Sequence, residues 1–166
     1  LVLLLVAGHE TTVNLIGNSV IALLRNPEQF ALLKAQPELI ESAVDEFLRY
    51  DSPVQLVRRM AGSDLELGGQ QILEGDTVML LTGAANHDPE QFATPEKLDI
   101  TRQNNKYLSF GAGIHHCLGS SLAKAEGRIA LNTLLTRLPN LKLKEVELEY
   151  RRPFALRGVK AIPVTF

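Results

Sequence analysis

The 166 residues predict an α+β fold, mainly α, on three observations. Apolar residues recur at helical spacing through the first fifty positions. Short stretches separated by glycine turns follow. A further helical stretch and an alternating tail then complete the chain, so helices and small strands are segregated rather than interleaved. No internal repeat or low-complexity segment appears, and the length fits a single domain.

The elements follow in order. Leu1 to about Leu24 reads as one long helix, apolar almost all round at its start, as expected of a chain opening in the middle of a buried helix. Asn26-Pro27 stops it, with Asn26 suited to cap the next helix and Pro27 to occupy its first position. Glu28 to Ala35 is a short amphipathic helix. Gln36-Pro37 restarts the pattern, and Leu39, Ile40, Val44, Phe47 and Leu48 place a helix over Glu38 to Tyr50. Val54–Met60, Leu65–Leu67, Gln71–Leu73 and Asp76–Leu81 read as strands, with turns at Gly68-Gly69 and Glu74-Gly75. Asn86-His87-Asp88-Pro89 and Ala93-Thr94-Pro95 mark a structured meander. Ser120 to Leu138 is again helical, and Leu141 to Phe166 alternates as strands broken at Pro153 and Pro163.

Composition excludes several function classes. The chain is 45% apolar and 22% charged with a net charge of -2, which gives no footprint for nucleic acid or an anionic membrane. A membrane helix needs ~20 apolar residues, and Gly8-His9-Glu10-Thr11-Thr12 interrupts the opening run far too early. Neither the basic start nor the cleavage site of a signal peptide is visible. One cysteine rules out an internal disulfide and a zinc site of several cysteines, and fits a reducing, cytoplasmic setting.

That cysteine, Cys117, lies in Phe110-Gly111-Ala112-Gly113-Ile114-His115-His116-Cys117-Leu118-Gly119. A lone cysteine is usually a small buried apolar residue. Here Gly111, Gly113 and Gly119 imply a backbone that turns sharply or approaches something flat and large. The cysteine also precedes the Ser120 helix, whose free N–H groups and dipole favour a thiolate. Zinc is a poor reading, because His115, His116 and Cys117 are consecutive, not spaced for a tetrahedron, and no distant cysteine completes a set. A phosphate loop lacks its Lys-Ser/Thr ending. A nucleophilic cysteine with His9, His87, His115 or His116 as base stays open.

Phe110, Gly113, His115, Cys117 and Gly119 resemble the haem-binding signature of the cytochrome P-450 superfamily: Phe, two free positions, Gly, one free, Arg or His, one free, Cys, one free, Gly. The resemblance implies haem b with Cys117 as its iron ligand, Phe110 packing beside the sulfur, and Gly111 and Gly119 within the cofactor-binding loop. It implies that His115 bonds a propionate and leaves His116 exposed. A thiolate ligand is the kind that favours O–O cleavage. The fold implied is the C-terminal portion of the P-450 fold, with residues 1–166 a partial domain whose N-terminal part is absent.

Two further stretches match. Glu46 and Arg49, three apart on a helix, read alone as a surface ion pair worth a few tenths of a kcal/mol. The resemblance makes them the superfamily's Glu-x-x-Arg pair, structural residues bracing the meander. Glu10 and Thr11 interrupt an apolar helix, where Gly8 weakens it and Thr11 can bond a carbonyl one turn back, opening a local bulge. They match the family's acid–alcohol pair, implied to relay protons in catalysis. Arg59, ahead of the hairpin, is implied to grip a propionate, with Arg58 on the other face. His87 stands where arginine is usual, and Leu98 where phenylalanine is usual.

The resemblance implies a soluble bacterial monooxygenase acting on a small organic substrate and dioxygen. A ferredoxin or flavodoxin with its reductase is the implied electron donor, docking on the cysteine side. Lys124 and Arg128 either steer such an acidic partner or form a solvated helix face. Val54–Val57 and Phe154–Leu156 are the expected substrate-facing pieces. The rivals are a haem-binding module without oxygenase activity, which Glu10 and Thr11 argue against, and an inert fragment.

Overall fold

A computed structural model describes residues 2–151 and 154–166. Leu1 and the expected break at Pro153 lie outside them. Helix α1 (Val2–Arg25) carries Leu15, Ser19, Ala22 and Leu23 on its buried face. Its first apolar residues, expected to be buried, stand 59–79% exposed from Val2 to Val6, and burial begins at Asn14. Asn26 does not cap the next helix: its side-chain amide donates backward to the Ala22 carbonyl at 2.8 Å. Asparagine bonds backbone on either side with equal ease, and here the open carbonyl at the end of α1 takes it.

Helix α2 (Pro27–Ala35) starts at the proline, and a 3₁₀ turn (Pro37–Leu39) leads into α3 (Ile40–Tyr50). In α3, Ile40, Val44, Phe47 and Leu48 share one face and all are buried. Strand β1 (Val57–Met60) pairs antiparallel with β4 (Thr77–Leu80), and β2 (Leu65–Leu67) with β3 (Gln70–Ile72) around Gly68-Gly69. Both glycines have positive φ, which the two-residue turn requires. β1 lacks the expected Val54–Leu56, β3 lies one residue before the expected Gln71–Leu73, and β4 lacks Asp76 and Leu81. Val54 forms an isolated bridge to Leu156 instead. A short helix, α4 (Thr82–Ala85), begins after Leu81.

After the meander, a 3₁₀ turn (Gly113–His115) precedes α5 (Ser120–Arg137). The tail contains β5 (Lys142–Leu143) paired with β6 (Val164–Thr165), and a bridge from Tyr150 to Val159. Helices α1, α3 and α5 pack on one another around Leu15, Leu23, Val44, Phe47, Leu131 and Leu135, with Leu98 and Ile100 of the meander closing the core. They meet at Gly127. A Cβ there would lie 3.4 Å from Leu15 and 3.5 Å from Val44, so glycine permits the close approach.

Candidate functional site

Glu46 and Arg49 are fully buried, not a surface pair. The Arg49 guanidinium is bidentate on Glu46, with Nε donating to Oε2 and Nη2 to Oε1, both at 2.8 Å. Its remaining N–H groups donate to the carbonyls of Asn86 (2.9 Å), Pro95 (2.8 Å) and Lys97 (3.1 Å). Every donor of the fork is therefore used. The Glu46 carboxylate also accepts from Arg102 Nε (3.1 Å), Asn105 Nδ2 (3.1 Å) and the Asp99 N–H (3.0 Å). Two buried charges persist because each lone pair and proton has a partner. The sequence reading missed Arg102 and Asn105. The only signal was an arginine three residues after Asp99, in a loop without periodicity.

The Cys117 loop sits beside this hub. Gly111 (φ +68°) and Gly113 (φ +61°) take left-handed backbone, where a side chain would be strained. A Cβ on Gly111 would also come within 3.4 Å of the His115 carbonyl oxygen. The Cys117 N–H donates to the Phe110 carbonyl at 2.9 Å, closing the loop on itself. Gly119 is the residue before α5 and accepts from the Ala123 N–H at 2.9 Å. Phe110 is half-buried against the core, 6.1 Å from the Tyr107 ring and 6.3 Å from that of His116. Cys117, His115 and His116 are exposed. The loop thus gathers Phe110, Gly111, Gly113, His115, Cys117 and Gly119.

The other expected site residues lie on other elements. Thr11 donates its hydroxyl proton to the Ala7 carbonyl at 2.7 Å, but α1 runs unbroken through this stretch and the expected bulge does not form. A threonine bonded one turn back fits within an intact helix. Glu10 is half-buried and stands 3.8 Å from the Arg151 guanidinium, a neighbour the sequence did not point to. Arg59 alternates with exposed Arg58 along β1, and its Nη1 donates to the Arg58 carbonyl at 2.7 Å.

Lys124 and Arg128 are engaged within the chain: Lys124 meets Asp45 at 2.7 Å, and Arg128 pairs with Glu41. Both cations thus have acidic partners on α3 while keeping about a third of their side-chain surface exposed. Asp45 also accepts from the Tyr107 hydroxyl at 2.7 Å. Burial and this bond to Asp45 push the Tyr107 phenol upward. Elsewhere, Gln55, Leu56, Phe154 and Leu156 line a cleft of about 430 Å³ with Tyr150 and Arg157. The two expected substrate-facing pieces therefore meet.

The family model described as Cytochrome P450 matches residues 34–157. The chain belongs to the cytochrome P450 family. It is 53% identical over 165 residues to the biotin biosynthesis cytochrome P450 of Bacillus subtilis (strain 168), covering 99% of this chain and 42% of that protein. It is 50% identical over 166 residues to the vitamin D(3) 25-hydroxylase of Pseudonocardia autotrophica, covering 98% of this chain and 41% of that one. The crystal structure of P450BioI in complex with hexadec-9Z-enoic acid ligated acyl carrier protein superposes with a TM-score of 0.95 at 53% identity, covering 99% of this chain and 42% of that chain. This cytochrome P450 chain thus spans about two fifths of the length of the curated relatives it matches.

A cytochrome P450 implies a haem iron cofactor, and the donor set here fits one. Cys117 offers a single soft ligand, and among the described residues no group of three or more His, Cys, Asp or Glu could complete a metal site. Such a donor suits an iron whose equatorial ligands come from a macrocycle, not a bare ion needing four protein ligands. The neighbouring Ile114 and Leu118 are 97% and 91% exposed, apolar surface of the kind a flat macrocycle covers. No helix among the described residues is long and apolar enough to cross a membrane.

Proposed function

We propose that residues 1–166 are one partial domain, the haem-binding C-terminal part of a cytoplasmic monooxygenase that inserts one oxygen atom of dioxygen into a small organic substrate. The exposed Cys117 on its glycine-built, self-closed loop carries this reading. Haem b, when bound, supplies the activation of dioxygen. Cys117 ligates the iron through Sγ, with Phe110, Gly111 and Gly119 fixing the loop. His115 and Arg59 would serve as hydrogen-bond donors to the propionates.

Glu10 and Thr11 move protons. Glu10 is half-buried beside Arg151 and directly precedes Thr11 on α1. Thr11 Oγ1 donates to the Ala7 carbonyl and keeps its lone pairs to accept. Glu46 and Arg49 hold the fold. Electrons arrive from a ferredoxin or flavodoxin and its reductase on the cysteine side.

The test is the carbon monoxide difference spectrum of the reduced protein. A far-red-shifted thiolate band that Cys117→Ser abolishes is the expected result. An imidazole-like band, or no haem uptake, overturns the assignment. In the enzyme acting on its substrate, Thr11→Ala is expected to separate oxygen consumption from product formation. Tight coupling in that variant would remove Thr11 from the proton route.

A further inference from the structure

The bonds inside the Cys117 loop do not say what holds the loop against the rest of the molecule. Phe110 packs on the core, but the polar attachment lies two residues upstream. The Leu108 N–H donates to Asn86 Oδ1 at 2.7 Å, and Asn86 Nδ2 donates to Ser109 Oγ at 2.9 Å. Ser109 in turn donates its hydroxyl proton to the Leu48 carbonyl at 2.5 Å, on α3. Asn86 is fully buried, and its own carbonyl accepts from Arg49 Nη1 at 2.9 Å.

The orientation of this amide follows from its partners. A backbone N–H can only donate, so the amide oxygen must face Leu108. The Ser109 hydroxyl spends its one proton on Leu48, so it accepts, and the NH₂ must face it. Asn86 therefore joins two things with one residue. Its main chain is fastened to the buried ion pair, and its side chain grips Leu108 and Ser109, directly before the Phe110 carbonyl that receives the Cys117 N–H. No aspartate, serine or alanine supplies both the acceptor and the donor at these places.

We propose that Asn86 is the positioning residue of the Cys117 loop: through Leu108 and Ser109 it transmits the fixed place of Arg49 to the loop and so sets where Cys117 Sγ stands. This rests on the reading of Cys117 as the haem ligand for its consequence, but not for its geometry. Asn86 touches neither the sulfur nor a substrate, and it acts through the loop.

The experiment uses the full protein in haem-free and haem-loaded form. In the haem-free protein, iodoacetamide labelling of the Cys117 peptide and hydrogen exchange at the Leu108 amide are followed. The variants are Asn86→Ala, Asn86→Asp and Ser109→Ala. Asn18→Ala serves as a control, because Asn18 is equally buried and bonds the carbonyls of Asp51 and Arg157, away from the loop. Loss of the clamp is expected to speed Leu108 exchange by about a hundredfold in Asn86→Ala, since that amide then opens locally. Cys117 labelling is expected to change by about tenfold as the loop's backbone surroundings of the thiol are lost. Asn86→Asp, which keeps the acceptor and loses the donor, falls between.

In the haem-loaded variants the thiolate band gives way to the shorter-wavelength form in the same order. If Asn86→Ala fails to fold, Asn86→Asp and Ser109→Ala make the same comparison. Equal Leu108 exchange and Cys117 labelling in the clamp variants and in Asn18→Ala would overturn the proposal. Absence of a thiolate band in the unaltered protein would instead overturn the haem reading and leave the haem-free measurements to decide the clamp.

Discussion

The Glu46–Arg49 hub and the Cys117 loop are neighbours in the molecule but opposites in burial. In the hub both side chains are fully buried, and the carboxylate receives donors from α3 and from three places in the meander. In the loop the thiol is exposed, its neighbours Ile114 and Leu118 are bare, and the shape rests on two left-handed glycines and a few backbone bonds. The hub is complete within these residues. The loop is shaped for something further, and its precision is borrowed from the hub.

That contrast breaks first at the hub. Arg49→Met leaves a buried carboxylate short of its main partner, and a loss of about 3–5 kcal/mol is expected from urea unfolding, enough to unfold a domain of ordinary stability. Next comes Arg102→Gln, which removes one charged donor from Glu46 and is expected to cost about 1–3 kcal/mol by the same measurement. Lys124→Ala, at a half-exposed pair, is expected to cost no more than about 1 kcal/mol, and less in high salt. Cys117→Ala is expected to leave the urea midpoint of the haem-free protein unmoved while abolishing the thiolate band. A large shift there would mean that the loop carries stability of its own.

A further prediction concerns pH. Burial raises the Asp51 carboxyl above its ordinary 3.8, against the pull of the Arg157 guanidinium 2.6 Å away. The folded state then holds that proton more tightly than the unfolded chain. Its contribution to stability is full below pH 3.8 and is lost as the pH rises through the raised value. Asp51→Asn cannot titrate, so its urea midpoint is expected to fall less steeply with pH in that window. Parallel slopes in the two proteins would remove Asp51 as the source.

What the sequence made legible followed from regular spacing or from unusual residues. Ile40, Val44, Phe47 and Leu48 announce the buried face of α3, and Gly111, Gly113 and Cys117 announce a special loop. Arg102, Asn105 and Asn86 gave no such signal. Their bonds to the hub and the loop span up to 59 positions of an irregular meander, where no period links a donor to its acceptor. Asn26 was misjudged because local bonding rules allow it two directions. The pairing of Lys124 and Arg128 gave no signal because their acidic partners sit on α3, about eighty residues earlier.

Gly127 carries a consequence of a different order. Thr11 rides on α1 and Cys117 leads directly into α5, and these two helices pack against each other where Gly127 has no side chain. The missing methyl acts as a gauge block: how closely two helices approach there sets the span between Thr11, proposed to move protons, and Cys117, proposed to hold iron. A larger side chain at that point would be a shim. It would detune the chemistry from a position that touches none of it.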